Sequence, residues 1–208
     1  MLGIHDFWLY LIAGLVLIMT PGPDTLYIVG RSVAQGRRAG MLSALGISTG
    51  SLIHTTFAAL GLSVLLARSA TAFTVVRWVG AAYLIYLGLR MLFAARKTAP
   101  GELSRPAAAN LWTIYRQAIT TNILNPKVAL FFLAFLPQFV EPDAPHRTLA
   151  LLLLGVVFVM NGTFWCLGVA WFAATVSRRF RERQSASVWL SRAAGVLFVG
   201  LGVRVARS

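Results

Sequence analysis

Asp24 and Lys127 are the charged side chains with the clearest chemical significance, because each lies well inside an apolar stretch of the chain. If these stretches cross a bilayer, each charge is unfavourable by about 2.5 to 3.5 kcal/mol at the centre and must be compensated. The two side chains could pair with each other or reach the inner membrane interface. Alternatively, they could bind a ligand with one charge of each sign, and a small zwitterion fits that description.

Each of these charges directly follows a helix-breaking pair of residues. The pairs are Gly22-Pro23 and Asn125-Pro126. Because proline lacks a backbone donor and clashes with the preceding turn, both stretches should be kinked or unwound there. The freed backbone groups are tolerated in hydrocarbon only where they face protein or a water-filled cavity. Interrupted helices at corresponding places in two halves of a chain therefore indicate the binding site of a transporter.

Other polar side chains inside apolar stretches extend the candidate site. Asp24 could also carry a proton, and coupling of that proton to solute movement would make the chain an antiporter. His54 could relay protons, although a hydrogen-bonded packing role is the simpler interpretation. Asn161, with its neighbours Gly162 and Thr163, could line a cavity or form interhelical hydrogen bonds.

The composition excludes a water-soluble enzyme. The 208 residues are 58% hydrophobic and 12% charged, against about 25% charged in ordinary soluble domains. The chain has no phosphate-binding loop, no cluster of metal-ligand residues and no nucleophile–base pair, so we predict no cofactor, no metal and no enzymatic activity. The single Cys166 excludes an intramolecular disulfide and is interpreted as a small buried hydrophobe.

Six apolar segments are long enough to be membrane-spanning helices of about 20 residues. They run from Phe7 to Gly30, Ala39 to Ala67, Thr71 to Ala95, Gln117 to Val140, Thr148 to Ser177 and Ser185 to Val203. Most Lys and Arg residues lie in the alternate joints, which therefore face the cytoplasm and place both termini outside it. The net charge of +13 is thus a topology signal, and without a separate basic domain we expect no nucleic-acid partner.

The joint 97–110 divides a single membrane domain, 1–208, into a first repeat, 1–96, and a second repeat, 111–208. Three spans per half mean that the second half enters the bilayer from the opposite side. The third and sixth spans share one order of residues, from Arg77, Gly80, Tyr83, Gly88 and Arg90 to Arg192, Gly195, Phe198, Gly202 and Arg204. The predicted fold is therefore all-α and polytopic, with six transmembrane helices in two inverted three-helix repeats.

Three motifs resemble the lysine exporter superfamily (LysE/RhtB), in particular its homoserine and threonine resistance branch. They are Pro21-Gly22-Pro23-Asp24-Thr25-Leu26-Tyr27, Gly80-Ala81-Ala82-Tyr83-Leu84-Ile85-Tyr86-Leu87-Gly88 and Thr121-Asn122-Ile123-Leu124-Asn125-Pro126-Lys127. The resemblance implies a bacterial cytoplasmic-membrane exporter of amino acids, driven by the proton motive force and without a bound cofactor. It also adds Asn122 to the candidate site.

We therefore predict export of a small zwitterionic amino acid in exchange for protons. A site without further embedded carboxylates favours neutral solutes of the homoserine, threonine or leucine type over dibasic ones. Two alternatives remain, an ion or metal permease and a non-transporting membrane scaffold in which Asp24 and Lys127 only join helices. Small residues such as Gly46 and Gly50 allow close helix packing within one chain or between the subunits of a homodimer.

Overall fold

In the computed structural model of the chain, the described residues are 2–68 and 108–175, with scattered positions between 71 and 92 and between 196 and 203. The predicted third and sixth spans are described only at these scattered positions, and all ten residues of their shared order lie outside the described residues. The helices of the described part are α1 (Phe7–Met19), α2 (Pro23–Arg68), α3 (Leu111–Ile123), α4 (Pro126–Leu130) and α5 (Arg147–Thr175). After α4 the chain continues through a π-helical turn, Phe131–Phe135, and a 3-10 turn, Leu136–Phe139.

Helix α2 is folded back on itself at Gly36. This residue has φ 82° and ψ −177°, a backbone conformation that is essentially restricted to glycine. In a straight helix, residues eight positions apart are separated by about 12 Å, yet a side-chain carbon on Gly40 would collide with Ser32. The arms 23–35 and 37–68 therefore form a tight helical hairpin, and the predicted joint between the first two spans is a turn at one residue.

The chain is bent at both proline motifs. The bend is 48° at the break between α1 and α2, and 49° at the break between α3 and the segment Pro126–Phe139. Pro23 and Pro126 each stand at the start of the helix that follows the break, where proline has no helical hydrogen bond to lose. The prediction of two interrupted helices is confirmed.

Helix α1 runs antiparallel to the segment that follows the second break. At its start, Ile4 forms an isolated antiparallel bridge with Val140, and the His5 amide donates to the Phe139 carbonyl at 3.0 Å. At the other end of α1, the Thr20 carbonyl accepts a hydrogen bond from the side chain of Lys127, in the first turn of α4. The start of one element thus lies beside the end of the other.

The first arm of α2 runs antiparallel to α3 in the same way. Asp24, at the start of the arm, contacts Asn122 near the end of α3. Gln35, at the end of the arm, donates to the Ala109 carbonyl just before α3. Because both bent units are placed side by side in opposite directions, their two breaks meet at one level of the molecule.

An aromatic core joins α1, the segment after α4, and α5. Its rings belong to Tyr10, Phe131, Phe132, Phe135, Phe139 and Phe158. The Tyr10 hydroxyl donates to the Leu154 carbonyl at 2.6 Å, so the polar end of this buried ring is also satisfied. Small residues bring α5 against the second arm of α2, where Gly155 packs on Thr55. This core supports the two breaks from one side.

Length and composition identify α5 as a helix that can cross a membrane, and each bent pair passes the same test when it is counted as one span. The described residues therefore provide one to three candidate spans. The six-span, two-repeat arrangement stays a prediction, because it involves residues beyond the described ones.

Replacing Gly36 tests the turn of the α2 hairpin. We expect Gly36→Ala to destabilise the protein by about 1 to 3 kcal/mol, because the side chain would have to adopt a conformation available only to glycine. The measurement is the thermal unfolding midpoint of the purified protein in detergent.

Gly168→Ala is the matched control. A side-chain carbon at either glycine would meet nothing within 4 Å, but Gly168 lies within α5. Alanine there should leave stability unchanged or raise it by up to about 1 kcal/mol. Equal effects of the two substitutions would contradict the proposed strain at the turn.

Candidate functional site

A cavity of about 50 Å³ lies where the two breaks meet. Since one water requires roughly 10–15 Å³ of such space, it has room for a few water molecules. Its polar lining comes from Asp24, Thr25, Ser48, Ser51, Asn122, Lys127 and Thr163. An apolar wall formed by Ile18, Ile47, Phe158 and Val159 completes it. The cavity therefore combines both predicted charges with a surface suited to an aliphatic group.

Lys127 is held by the carboxyl-terminal end of α1. Its ammonium nitrogen, Nζ, donates to the carbonyls of Leu17 at 3.2 Å and Thr20 at 3.0 Å. The last carbonyls of a helix lack helical partners and carry partial negative charge, so a cation is stabilised there. Gly22 leaves space for the ammonium group, because a side-chain carbon at that position would lie 3.2 Å from Nζ.

Asp24 occupies the opposite kind of helix end. It lies in the first turn of α2, where backbone N–H groups and the helix dipole stabilise an anion. Its Oδ2 accepts a hydrogen bond of 2.8 Å from the Asn122 side chain. The carboxylate also interacts electrostatically with Lys127 and His54.

No direct ion pair joins Asp24 to Lys127 within the described part of the chain. The alternative of a mutual ion pair, considered from the sequence, is therefore wrong for this structure. Each charge is compensated by its own helix end and hydrogen bonds, and both remain facing one cavity.

Asn122 connects the elements around the cavity and is fully buried. Besides its bond to Asp24, its side-chain oxygen accepts from Ser51 Oγ at 3.3 Å. Its backbone carbonyl lies 3.1 Å from His54 Nε2. The α-carbon of Gly50 packs directly on it, since a side-chain carbon there would lie 2.7 Å from Asn122 Oδ1. A buried side chain with this many partners is held in one orientation.

Two buried polar atoms beside the cavity have no hydrogen-bond partner among the described residues. They are Oδ1 of Asp24, an acceptor, and Nδ2 of Asn125, a donor. Asn125 uses its side-chain oxygen to cap α4 through the Lys127 amide at 3.1 Å, and its side chain is also a hydrogen-bonding neighbour of the Asp24 carboxyl group. The acceptor and the donor therefore lie near each other without completing a hydrogen bond of normal geometry. Because most buried polar atoms are paired, a ligand could take the place of this weak contact.

The remaining predicted site residues, His54 and Asn161, do not line the cavity. His54 stacks on Phe132 with ring centroids 6.0 Å apart and, with its bond to Asn122, has the geometry of a hydrogen-bonded packing histidine. Asn161 does not line the cavity, because its amide donates to the Val157 carbonyl of its own helix at 2.8 Å. Its neighbours Gly162 and Thr163 line the cavity instead.

Sequence analysis missed several of the lining residues. Ser48 and Thr25 were not identified, and Cys166, interpreted as a buried hydrophobe, lies in the cavity wall. One available signal was the recurrence of Ser48, Ser51 and Thr55 at intervals of three and four residues, which places them on one helix face. Among the described residues, no group of three His, Cys, Asp or Glu side chains is arranged to hold a metal ion.

A family model described as LysE type translocator matches residues 15–208. The chain belongs to this family. The resemblance to the LysE/RhtB superfamily that its motifs predicted is therefore confirmed, and the protein is a membrane transporter-family member. No solved structure matches the chain significantly.

Several bacterial relatives of this LysE-family chain match it along nearly the whole length. An uncharacterized membrane protein of Pseudomonas aeruginosa is 33% identical over 208 residues, which cover 99% of this chain and 96% of that protein. The leucine efflux protein of Salmonella typhimurium is 28% identical over 204 residues, with 98% and 96% covered. The leucine efflux protein of an Enterobacter species is 26% identical over 207 residues, with 98% and 96% covered.

The contact between Gly50 and Asn122 can be tested by adding one methyl group. We expect Gly50→Ala to destabilise the protein by about 1 to 3 kcal/mol, as overpacking does in a dense interior, and to displace Asn122 from Asp24. Thermal unfolding in detergent measures the first effect, and transport after reconstitution of the protein into sealed lipid vesicles tests the consequence of the second.

Gly162→Ala provides the comparison within the same cavity. A side-chain carbon there would meet Ile18 at an ordinary distance of 3.8 Å, so stability should be retained. If Gly50→Ala unfolds at the wild-type temperature, the close approach of the two helices at this level is refuted.

Proposed function

We propose that this LysE-family protein exports neutral aliphatic amino acids from the cytoplasm in exchange for protons. One observation carries the proposal, namely that Asp24 and Lys127 line one cavity, while Asp24 Oδ1 and the neighbouring Asn125 Nδ2 complete no hydrogen bond among the described residues. An α-amino acid carries an ammonium group and a carboxylate, and this cavity offers an oxygen acceptor for the first and nitrogen donors for the second. The names of the leucine efflux relatives support the same solute class.

The ammonium group of the solute would bind Asp24 through Oδ1. Its carboxylate would bind the Asn125 amide and Lys127, which lie at the start of the helix on the other side of the break. Hydrogen bonds between charged groups are about twice as strong as neutral ones, so both ends of the zwitterion are recognised. The narrow cavity must widen to admit the solute, and the two breaks provide places where helices can move.

The apolar wall explains the preference for an aliphatic side chain. Ile18, Ile47, Phe158 and Val159 would surround it, and burial of each methylene group contributes about 0.8 kcal/mol. A dibasic solute would bring a second cation. Besides Asp24, the described lining offers no carboxylate to neutralise that cation.

Proton exchange follows from competition at Asp24. The carboxylate can hold either the ammonium group of the solute or a proton, so the two ligands exclude each other. Release of the solute outside the cytoplasm would be followed by protonation and return of the empty carrier. Each charge moved across the membrane is worth about 2.3 kcal/mol per 100 mV, which is sufficient to drive export.

We propose the predicted membrane architecture together with this function. Six spans in two inverted repeats, in a bacterial cytoplasmic membrane with both termini outside the cytoplasm, would make the bent units equivalent parts of the two halves. Their nearly equal bends of 48° and 49° and their antiparallel placement support this arrangement.

Export can be measured in cells loaded with a leucine-containing dipeptide, from which efflux is the route of escape. Expression of the wild-type protein should lower internal leucine several-fold. Asp24→Asn should reach the membrane in similar amount but lose export and leucine-driven proton movement, because the amide cannot exchange a proton.

Asp6→Asn is the control for a lost aspartate. Asp6 is exposed at the start of α1, outside the cavity, and export should continue. Retention of every neutral amino acid by cells that contain the wild-type protein would contradict the proposed function. Normal proton-coupled export by Asp24→Asn would contradict the role of Asp24.

A second carboxylate in the cavity should change its selectivity. Ser48 lines the cavity and accepts a hydrogen bond from Thr163 at 2.7 Å. Ser48→Asp should favour lysine over leucine by about tenfold relative to wild type, as expected for one added charge pair in a partly desolvated site. Competition between the two amino acids in transport assays measures this ratio, and Ser48→Asn, of nearly equal size, should not change it.

A further inference from the structure

A second polar space lies between the first arm of α2 and α3. This access cleft has a volume of about 440 Å³ and is lined by Tyr27, Thr113, Arg116, Gln117, Thr120 and Thr121. Pockets for small molecules typically have volumes of about 300–1,000 Å³. Of these two spaces in the described part of the chain, the cleft has room for an amino acid and the central cavity does not.

The cleft follows a polar stripe along α3. Five of its lining residues recur at intervals of three, one, three and one, and therefore share one helix face. A polar face on a membrane helix is stable where it lines water or protein. The stripe ends at Thr121, beside Asn122, and Tyr27 lies three residues after Asp24. The inner end of the cleft is therefore about one helical turn from the contact between Asp24 and Asn122, although the described linings of the cleft and the central cavity share no residue.

A hydrogen-bonded network holds the two walls of the cleft together. The buried Arg31 donates to Gln117 Oε1 at 2.8 Å and to Gln35 Oε1 at 2.7 Å. The Tyr27 hydroxyl donates to the Ile114 carbonyl at 2.9 Å, and the Arg31 guanidinium lies 5.5 Å from the centre of the Tyr27 ring. The span bounds predicted from the sequence leave Arg31 in the joint after Gly30, whereas in the structure it lies inside the first arm of α2, beside the cleft.

The electrostatics of the access cleft favour an anion. Its described lining contains Arg116, which is exposed, and no carboxylate, while Arg31 adds a second positive charge behind Gln117. The cleft lies toward the Gly36 turn and residues 108–110, which belong to the joints expected to face the cytoplasm. A solute arriving from that side meets this positive surface before it reaches Asp24.

We propose that the access cleft is a second amino-acid site, in which Arg116 binds the carboxylate of the solute before it moves into the central cavity. The inference rests on the proposed export function and adds a recognition step to it. Arg116 captures the carboxylate, and the threonine stripe supplies hydroxyl groups along the route to Asn122 and Asp24.

Transport kinetics in inside-out membrane vesicles test this site, because the cytoplasmic side is then accessible to labelled leucine. Arg116→Gln should raise KM about five- to tenfold and leave kcat unchanged, as expected for loss of one charged hydrogen bond in initial binding. Arg116→Lys should restore most of the affinity. Arg38→Gln is the matched control, because Arg38 is also exposed near the Gly36 turn but does not line the cleft.

Unchanged KM in Arg116→Gln would overturn the access site, as would an equal rise in Arg38→Gln, which would indicate a general effect of surface charge. These outcomes differ from failure of the proposed function. If the proposed export function is wrong, wild-type vesicles transport no amino acid. If only the access site is wrong, wild-type vesicles transport normally and Arg116→Gln does not differ from its control.

Cysteine labelling provides a structural readout independent of transport. Thr120→Cys should react from the cytoplasmic side with a membrane-impermeant maleimide, and millimolar leucine should slow the reaction several-fold. Thr56→Cys is the control, because Thr56 is exposed beside Phe57 on an apolar surface. The wild-type protein, with its single Cys166, is the blank. Labelling without leucine protection, or disulfide-linked dimers through Thr120→Cys with no labelling, would overturn the proposal.

Discussion

Asp24 and Lys127, the two charges that line the central cavity, are each stabilised by the end of a broken helix. Lys127 binds carbonyls at the end of α1, and Asp24 lies in the first turn of α2. The partial charges of these helix ends are negative and positive respectively, which matches the signs of the two side chains. Charge and break depend on each other, because unpaired backbone groups would be as unfavourable in hydrocarbon as unpaired side-chain charges.

The antiparallel placement of the bent units follows from this arrangement. A lysine from the second unit can reach the end of α1 only if the two breaks lie at one level, and Gly22 permits that approach. On the other side of the cavity, Asn122 links α3 to Asp24, and Gly50 lets the second arm of α2 pack against it. The small residues at this level therefore determine how closely the charges can approach a common ligand.

The sequence was sufficient to predict the two breaks, the position of Asp24 and Lys127 beside them, and the family. A proline and a charge inside an apolar stretch affect the helix in which they lie, so the local sequence is enough to indicate a break there. The partners of each charge could not be predicted, because Lys127 binds backbone carbonyls, which every residue possesses. Asn161 illustrates the same difficulty, since the rotation of α5 in the fold determines which of Asn161, Gly162 and Thr163 line the cavity. The access cleft could not be predicted from the sequence either, because it forms only where α3 packs against the first arm of α2.

The contacts of Lys127 also explain why a transporter would keep its helices broken. A carboxylate entering the cavity competes with the Leu17 and Thr20 carbonyls for the same ammonium group, and an ionised oxygen is the stronger acceptor. Solute binding would thus release the end of α1 from the second unit. A continuous helix could not respond locally, but a helix that ends at Met19 and resumes at Pro23 can move its two parts separately. In the proposed transport cycle, the same backbone interruption that stabilises Lys127 would thereby couple solute binding to movement.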